Sequence, residues 1–175
     1  VMMSLGGGGG PPTMPFPRAM ASGGDLFIVV DGSPDKIMKI QPSGNKLDEF
    51  NAPGSNIESL AYLASSPGKL YMVDNTSPQR ALWRVDPDTH AATKVADLPS
   101  WVGEIGGLAE SPDGANLMAV GRWADTLYVI NPQNGAVVNT ISMMAIPPAW
   151  LPNGLEGLAL IQTPTGPQLL GGKWN

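Results

Sequence analysis

One short phrase is written three times in this chain at an even interval. It reads Ile37-Met38-Lys39-Ile40-Gln41-Pro42, then Leu82-Trp83-Arg84-Val85-Asp86-Pro87, then Leu127-Tyr128-Val129-Ile130-Asn131-Pro132, with a step of 45 residues each time (37 to 82, 82 to 127). A constant step of this size means that one supersecondary unit has been copied, and such units bury their apolar faces by stacking on one another. Within each copy, apolar residues run into a proline that opens a turn: Pro-Ser-Gly, Pro-Asp-Thr and Pro-Gln-Asn-Gly, which reads as a strand meeting a tight corner. Glycine at 22 and proline at 18 of 175 residues suit many short strands better than long helices. The expected class is all-β.

Other phrases keep a similar rhythm and supply the rest of the unit. Ile57-Glu58-Ser59-Leu60-Ala61 is matched by Ile105-Gly106-Gly107-Leu108-Ala109 and Leu155-Glu156-Gly157-Leu158-Ala159. Small residues at Ser59, Gly107 and Gly157 suit strands crowded round a common axis. Near-continuous apolar runs at 26–31, 70–75 and 117–122 read as strands buried on both faces, and the more polar stretches 46–50, 92–96 and 137–141 read as half-exposed outer edges. Four antiparallel strands per unit, innermost first, describe β-propeller-type blades. The expected division is a Gly/Pro-rich arm or linker at 1–24, a partial blade at 25–50, full blades at 57–98 and 105–143, and a partial blade at 155–175. About three blades make an incomplete ring, because closed propellers have about four to eight. Unpaired blade faces need cover, so a protein partner or an identical subunit that completes or covers the blades is expected.

From about Asp25 onward the phrases LWRVDPDT, LYVINPQNG and GLAESPDG resemble the YVTN, NHL and SMP-30-like superfamily of propeller repeats. That resemblance implies the fold and no single activity. A narrower likeness lies in Asn153-Gly154-Leu155-Glu156-Gly157-Leu158-Ala159, which is similar to a phrase of esterase-like and phytase-like propellers in which an inner-strand glutamate faces a calcium-binding channel. Asn56-Ile57-Glu58-Ser59-Leu60-Ala61 is a partial second copy, while the middle blade carries Gly106 at that place with Glu104 two residues earlier. The likeness implies Glu58, Glu104 and Glu156 as metal ligands and calcium as the cofactor of a hydrolase, because calcium takes six to eight oxygen ligands and carboxylates from adjacent strands supply several. The alternative is that these glutamates cap strand starts and bond backbone amides.

Other chemistry is excluded or localised by the residues themselves. A net charge of −5, with no cluster among the ten basic residues, argues against a nucleic-acid partner. There is no cysteine, hence no disulfide, thiolate metal site or cysteine nucleophile. No apolar run of roughly 18 residues exists to span a membrane as a helix, and an extracytoplasmic or secreted location is favoured. The single His90 falls in a turn, where a Ser-His-Asp triad is not expected, and G-x-S-x-G, H-E-x-x-H, P-loop and EF-hand motifs are absent from the sequence. Trp101, Trp123 and Trp150 lie in connections, where an aromatic ring can plug a seam between blades, anchor a partner or stack on a sugar. Trp150 belongs with Pro147 and Pro148 to the inserted stretch MMAIPPAWLPN at 143–153, an apolar loop suited to docking. The leading expectation is a non-enzymatic interaction or scaffold module in a larger assembly; a calcium-dependent hydrolase and a carbohydrate-binding propeller are the alternatives.

Overall fold

The computed structural model describes residues 17–64, 68–76, 78–124, 126–143 and 157–172. Fourteen strands appear in it, and no helix is found among the described residues. The first sheet holds β1 (Pro17–Gly23), β2 (Asp25–Val30), β3 (Lys36–Ile40) and β4 (Lys46–Asn51). The second holds β5 (Ile57–Leu63), β6 (Lys69–Asp74), β7 (Ala81–Val85) and β8 (Ala92–Asp97). The third holds β9 (Ile105–Glu110), β10 (Leu117–Gly121), β11 (Thr126–Ile130) and β12 (Val137–Ser142). A two-stranded hairpin follows, β13 (Gly157–Thr163) with β14 (Gly166–Gly172). Each four-stranded sheet is an antiparallel meander in chain order. The first strands lie side by side, β1 against β5, β5 against β9 and β9 against β13. Sheets that meet through their first strands and fan outward are propeller blades.

The first blade has one strand more than the sequence predicts. Pro17–Gly23, placed by the sequence in the Gly/Pro arm, pairs with β2 from Ala19↔Val29 to Gly23↔Asp25. A segment with flanking prolines and glycines and a poor apolar pattern becomes a strand because β2 offers it a free edge and β5 packs beside it. Its signal lies in the small residue Ala19 and the apolar Met20, which occupy the places of Ser59 and Leu60.

Corner chemistry repeats with the strands. The Asn131 side chain accepts the Gln133 N–H at 2.8 Å while Gly135 N–H bonds the Asn131 carbonyl at 2.9 Å. The same turn one repeat earlier uses Asp86, which accepts Asp88 and Thr89 N–H groups, and closes with His90 N–H on the Asp86 carbonyl. His90 therefore stands where the next repeat has Gly135, and both are left-handed, at φ 61° and 70°.

Strand alternation sends successive residues to opposite faces of a blade, and the two faces have distinct jobs. Phe27, Val29 and Ile37 of the first blade pack on Leu60, Leu70, Met72 and Val85 of the second. Tyr71, Val73 and Leu82 of the second pack in turn on Leu108, Leu117, Ala119 and Ile130 of the third. Met118, Val120 and Leu127 of the third meet Leu158 and Leu169 of the hairpin. Where the inner strands come closest no side chain fits: a Cβ on Gly107 would lie 2.6 Å from the Leu158 backbone nitrogen.

Candidate functional site

Each of the three complete inner strands contains a one-residue bulge at the same place in the repeat. Pairing skips Arg18 between Pro17 and Ala19, Glu58 between Ile57 and Ser59, and Gly106 between Ile105 and Gly107. A bulge releases one residue from the ladder and re-aims it. Here the released residues meet at one end of the blades, where inner strands begin and second strands finish.

Two buried side chains hold that end together. Asp35, inaccessible to solvent, accepts Gly32 N–H at 3.1 Å and Ile57 N–H at 2.9 Å, so a loop of the first blade grips the first residue of β5. One blade on, Asn75 accepts Ile105 N–H at 3.0 Å and donates to the Ile105 carbonyl at 2.9 Å, gripping the first residue of β9. These bonds satisfy strand-end groups that the bulges leave outside the ladder.

Charged side chains then bridge the blades in alternating sign. Arg18 donates through Nη2 to Asp31 at 2.9 Å and through Nη1 to Asn56 at 3.0 Å, and the same Nη1 lies 3.5 Å from Glu58 Oε1. The opposite oxygen of Glu58 accepts a 2.8 Å hydrogen bond from Arg122, which follows β10 in the third blade. Arg18, Glu58, Gly106 and Arg122 line a hollow of about 190 Å³. Beside it the Arg122 guanidinium lies 5.5 Å from the centre of the Trp123 ring, and the Trp123 indole N–H donates to Glu104 at 3.3 Å. Trp123 is 71% exposed and Trp101 60% exposed; Trp101 leans on Tyr128 with ring centres 5.9 Å apart. Both tryptophans stand on loops at this end.

The residues singled out from the sequence are thus partly brought together. Glu58 is gripped by two guanidinium groups, and Glu104 holds Trp123. Among the described residues no three His, Asp or Glu side chains gather into a metal-binding group. Glu156, Trp150, Pro147 and Pro148 lie outside the described residues. Sequence reasoning does not single out Arg18, Arg122, Asp35 or Asn75. The one sign of Arg18 in the sequence is its position, immediately before the small residue of an inner strand, as Glu58 stands before Ser59. His90 lies away from this end, in the turn between β7 and β8, where it bonds Asp48 at 2.7 Å and stacks on Phe50.

A larger hollow of about 380 Å³ runs along the inner strands, lined by apolar groups such as Met20, Leu60, Leu108 and Leu158 together with Glu110. Burial pushes the Glu110 carboxyl above its ordinary value. This is the wall that a closed ring would turn toward its axis.

No family model matches the sequence, and no curated protein does. Solved structures do match in fold. Hydrazine synthase of Kuenenia stuttgartiensis is 19% identical with a TM-score of 0.56, over 97% of this chain and 45% of that one. A chain of a nidogen/laminin complex is 14% identical with a TM-score of 0.67, over 93% of this chain and 57% of that one. A luciferin-regenerating enzyme is 14% identical with a TM-score of 0.54, over 78% and 46%. At such identities the likeness is one of fold, and this chain spans about half the length of each of those three.

Proposed function

We propose that the chain works as a β-propeller interaction or scaffold module, without catalysis of its own, whose open flank receives a further blade from a partner or a second copy. The observation that carries this reading is a repeat residue set that is less buried in the first blade than in the second and third. In the second blade, Leu70, Met72 and Val85 are buried against the first, and in the third Leu117, Ala119, Tyr128 and Ile130 are buried against the second. The same repeat positions in the first blade are Leu26, Ile28, Met38 and Ile40, in register as Leu26↔Ile40 and Ile28↔Met38. They are only half-buried, and Met20 beside Ile28 is 63% exposed. An apolar sheet face of this kind marks an interaction surface.

The test is sedimentation of the chain at micromolar concentration, with binding of a hydrophobic dye as a second readout. Wild type is expected to self-associate, or to bind dye until a partner is supplied. Ile28→Glu, with its β-sheet circular dichroism retained, is expected to be monomeric and dye-free. A wild-type monomer that binds no dye would overturn the reading.

A carbohydrate-binding role has one observation in its favour: Trp123 is fixed by Glu104 and Arg122 yet keeps most of its surface in water, as a stacking plate requires. The calcium-dependent hydrolase would need Glu58 to exchange two guanidinium partners for a cation, and it has no comparable support.

A further inference from the structure

We infer that the larger hollow along the inner strands binds a small primary amine with an apolar chain, its ammonium group seated on Glu110. The residues that line this hollow recur by register. Met20, Leu60, Leu108 and Leu158 pair with Ile28, Met72, Ala119 and Gly171 of the second strands and hold one repeat place. Alternation brings the residue two further on to the same face, and these residues are Ser22, Tyr62, Glu110 and Leu160. Four successive inner strands therefore offer an apolar row and, beside it, a row in which one member is a carboxylate. A charge set where its repeat equivalents are uncharged departs from the local pattern, and such departures gather at functional sites.

The hollow and the charge fit one ligand class. Its volume of about 380 Å³ falls in the range of small-molecule sites, about 300–1,000 Å³. No Lys, Arg or His is among the described residues that line it, so the lining carries one uncompensated negative charge. Lys69, which pairs with Leu63 on the adjoining strand, is taken up by Asp86. Among the described residues only the Ala64 N–H bonds the Glu110 carboxyl, which leaves most of the roughly four acceptor positions of a carboxylate unfilled. An ammonium group supplies three donors and the missing charge. Burial already holds this carboxyl above its ordinary value, as expected of a charged group short of partners. The apolar row then takes the alkyl chain out of water.

This inference does not rest on the blade-covering role: association state and dye binding report on the open flank, whereas titration with a small amine reports on the inner wall. The full chain is titrated calorimetrically at neutral pH with hexylamine, with hexanol and with hexanoate. Hexylamine is expected to bind saturably and about 10-fold more tightly than hexanol. Hexanoate, which brings a like charge to Glu110, is expected not to bind.

Glu110→Gln keeps the shape and an acceptor for the Ala64 N–H while removing the charge, so it is expected to weaken hexylamine by about 10-fold and to leave hexanol unchanged. Glu110→Asp keeps the charge and draws it back by one methylene, and is expected to weaken hexylamine by less. Circular dichroism confirms that each variant is folded; if Glu110→Gln is not, the ranking of the three ligands on wild type and on Glu110→Asp decides. Absence of saturable hexylamine binding to wild type overturns the inference. So does equal affinity for hexylamine and hexanol, or hexylamine binding that Glu110→Gln leaves unchanged, which would place the amine on the open flank instead.

Discussion

Asp35 and Asn75 show how much of a repeat fold can depend on a single polar side chain. Each holds the first residue of the next blade's inner strand, Ile57 or Ile105, by hydrogen bonds to its backbone. Both strand-starting residues are fully buried, so a lost partner cannot be replaced by water. Asn75→Ala strands both backbone groups of Ile105 and is expected to cost about 1–3 kcal/mol, a fall in melting temperature of roughly 3–10 °C. Asp35→Asn keeps the volume but turns one acceptor into a donor facing an N–H, and should cost a similar amount. Thermal melts of the two variants check this, and unchanged midpoints would show that the blades are held by apolar packing alone. Neither residue is legible from the sequence. Asp and Asn in loops look like ordinary turn formers, and only the neighbouring blade gives them their second partner.

At the scale of elements, the outer seam between the first two blades is electrostatic. His90 bonds Asp48, while Lys39 reaches Asp88 at 3.1 Å. The hydrogen bond from His90, then the Glu49 backbone N–H, hold the Asp48 carboxyl below its ordinary value of 3.8. Lys36 and Lys46 lower Glu49, and the Ser111 hydroxyl lowers Asp113. Lys69, in close contact with Asp86, lowers that carboxyl too. A carboxyl lowered on folding contributes stability that is present above its ordinary value and disappears as pH falls through the lowered one. Glu110, raised by burial, acts in the opposite sense and weakens folding once it ionises. Among the described carboxyls four are lowered and one is raised, which sets the direction. The melting temperature is expected to hold steady above about pH 5 and to fall progressively below about pH 4, with Asp48→Asn flattening part of the loss. A melting temperature that rose with acid across that range would contradict the assignment.

At the scale of the whole molecule, stability should be graded from the middle outward. β6 and β10 are buried almost throughout, whereas β14 is exposed at most positions and β4 and β12 are largely open. In a stacked repeat each unit is stabilised by its neighbours, and local opening follows buried contact. Hydrogen exchange is expected to be slowest in β6 and β10 and fastest in the β13–β14 hairpin, with the outer strands between. Uniform protection from β1 to β14 would indicate one indivisible cooperative unit instead.

Much of the architecture is legible in short-range sequence patterns. The thrice-written phrase forms β3, β7 and β11, the apolar runs form β2, β6 and β10, and the turn prolines fall at the corners, because period-2 alternation and turn chemistry act over a few residues. Ser59 and Gly107 sit at crowded inner strands as their size suggests, while a Cβ on Gly157 would meet nothing within 4 Å. The candidate site is far less legible. The sequence marks Glu58 as an oxygen donor for a cation, and the structure surrounds it with Arg18, 40 residues before it, and Arg122, 64 residues after it.

The sequence by itself determined that the chain is all-β, that its unit is a four-stranded sheet and that successive sheets stack, since those properties follow from local periodicity and from the need of each copy to bury its face. Only the tertiary structure decided that Pro17–Gly23 is a strand, that the inner strands bulge at Arg18, Glu58 and Gly106, and which charges meet across the blades. Strand pairing and ion pairing between blades depend on the distance between residues far apart in the chain, and that distance exists only once the sheets have fanned round their common axis.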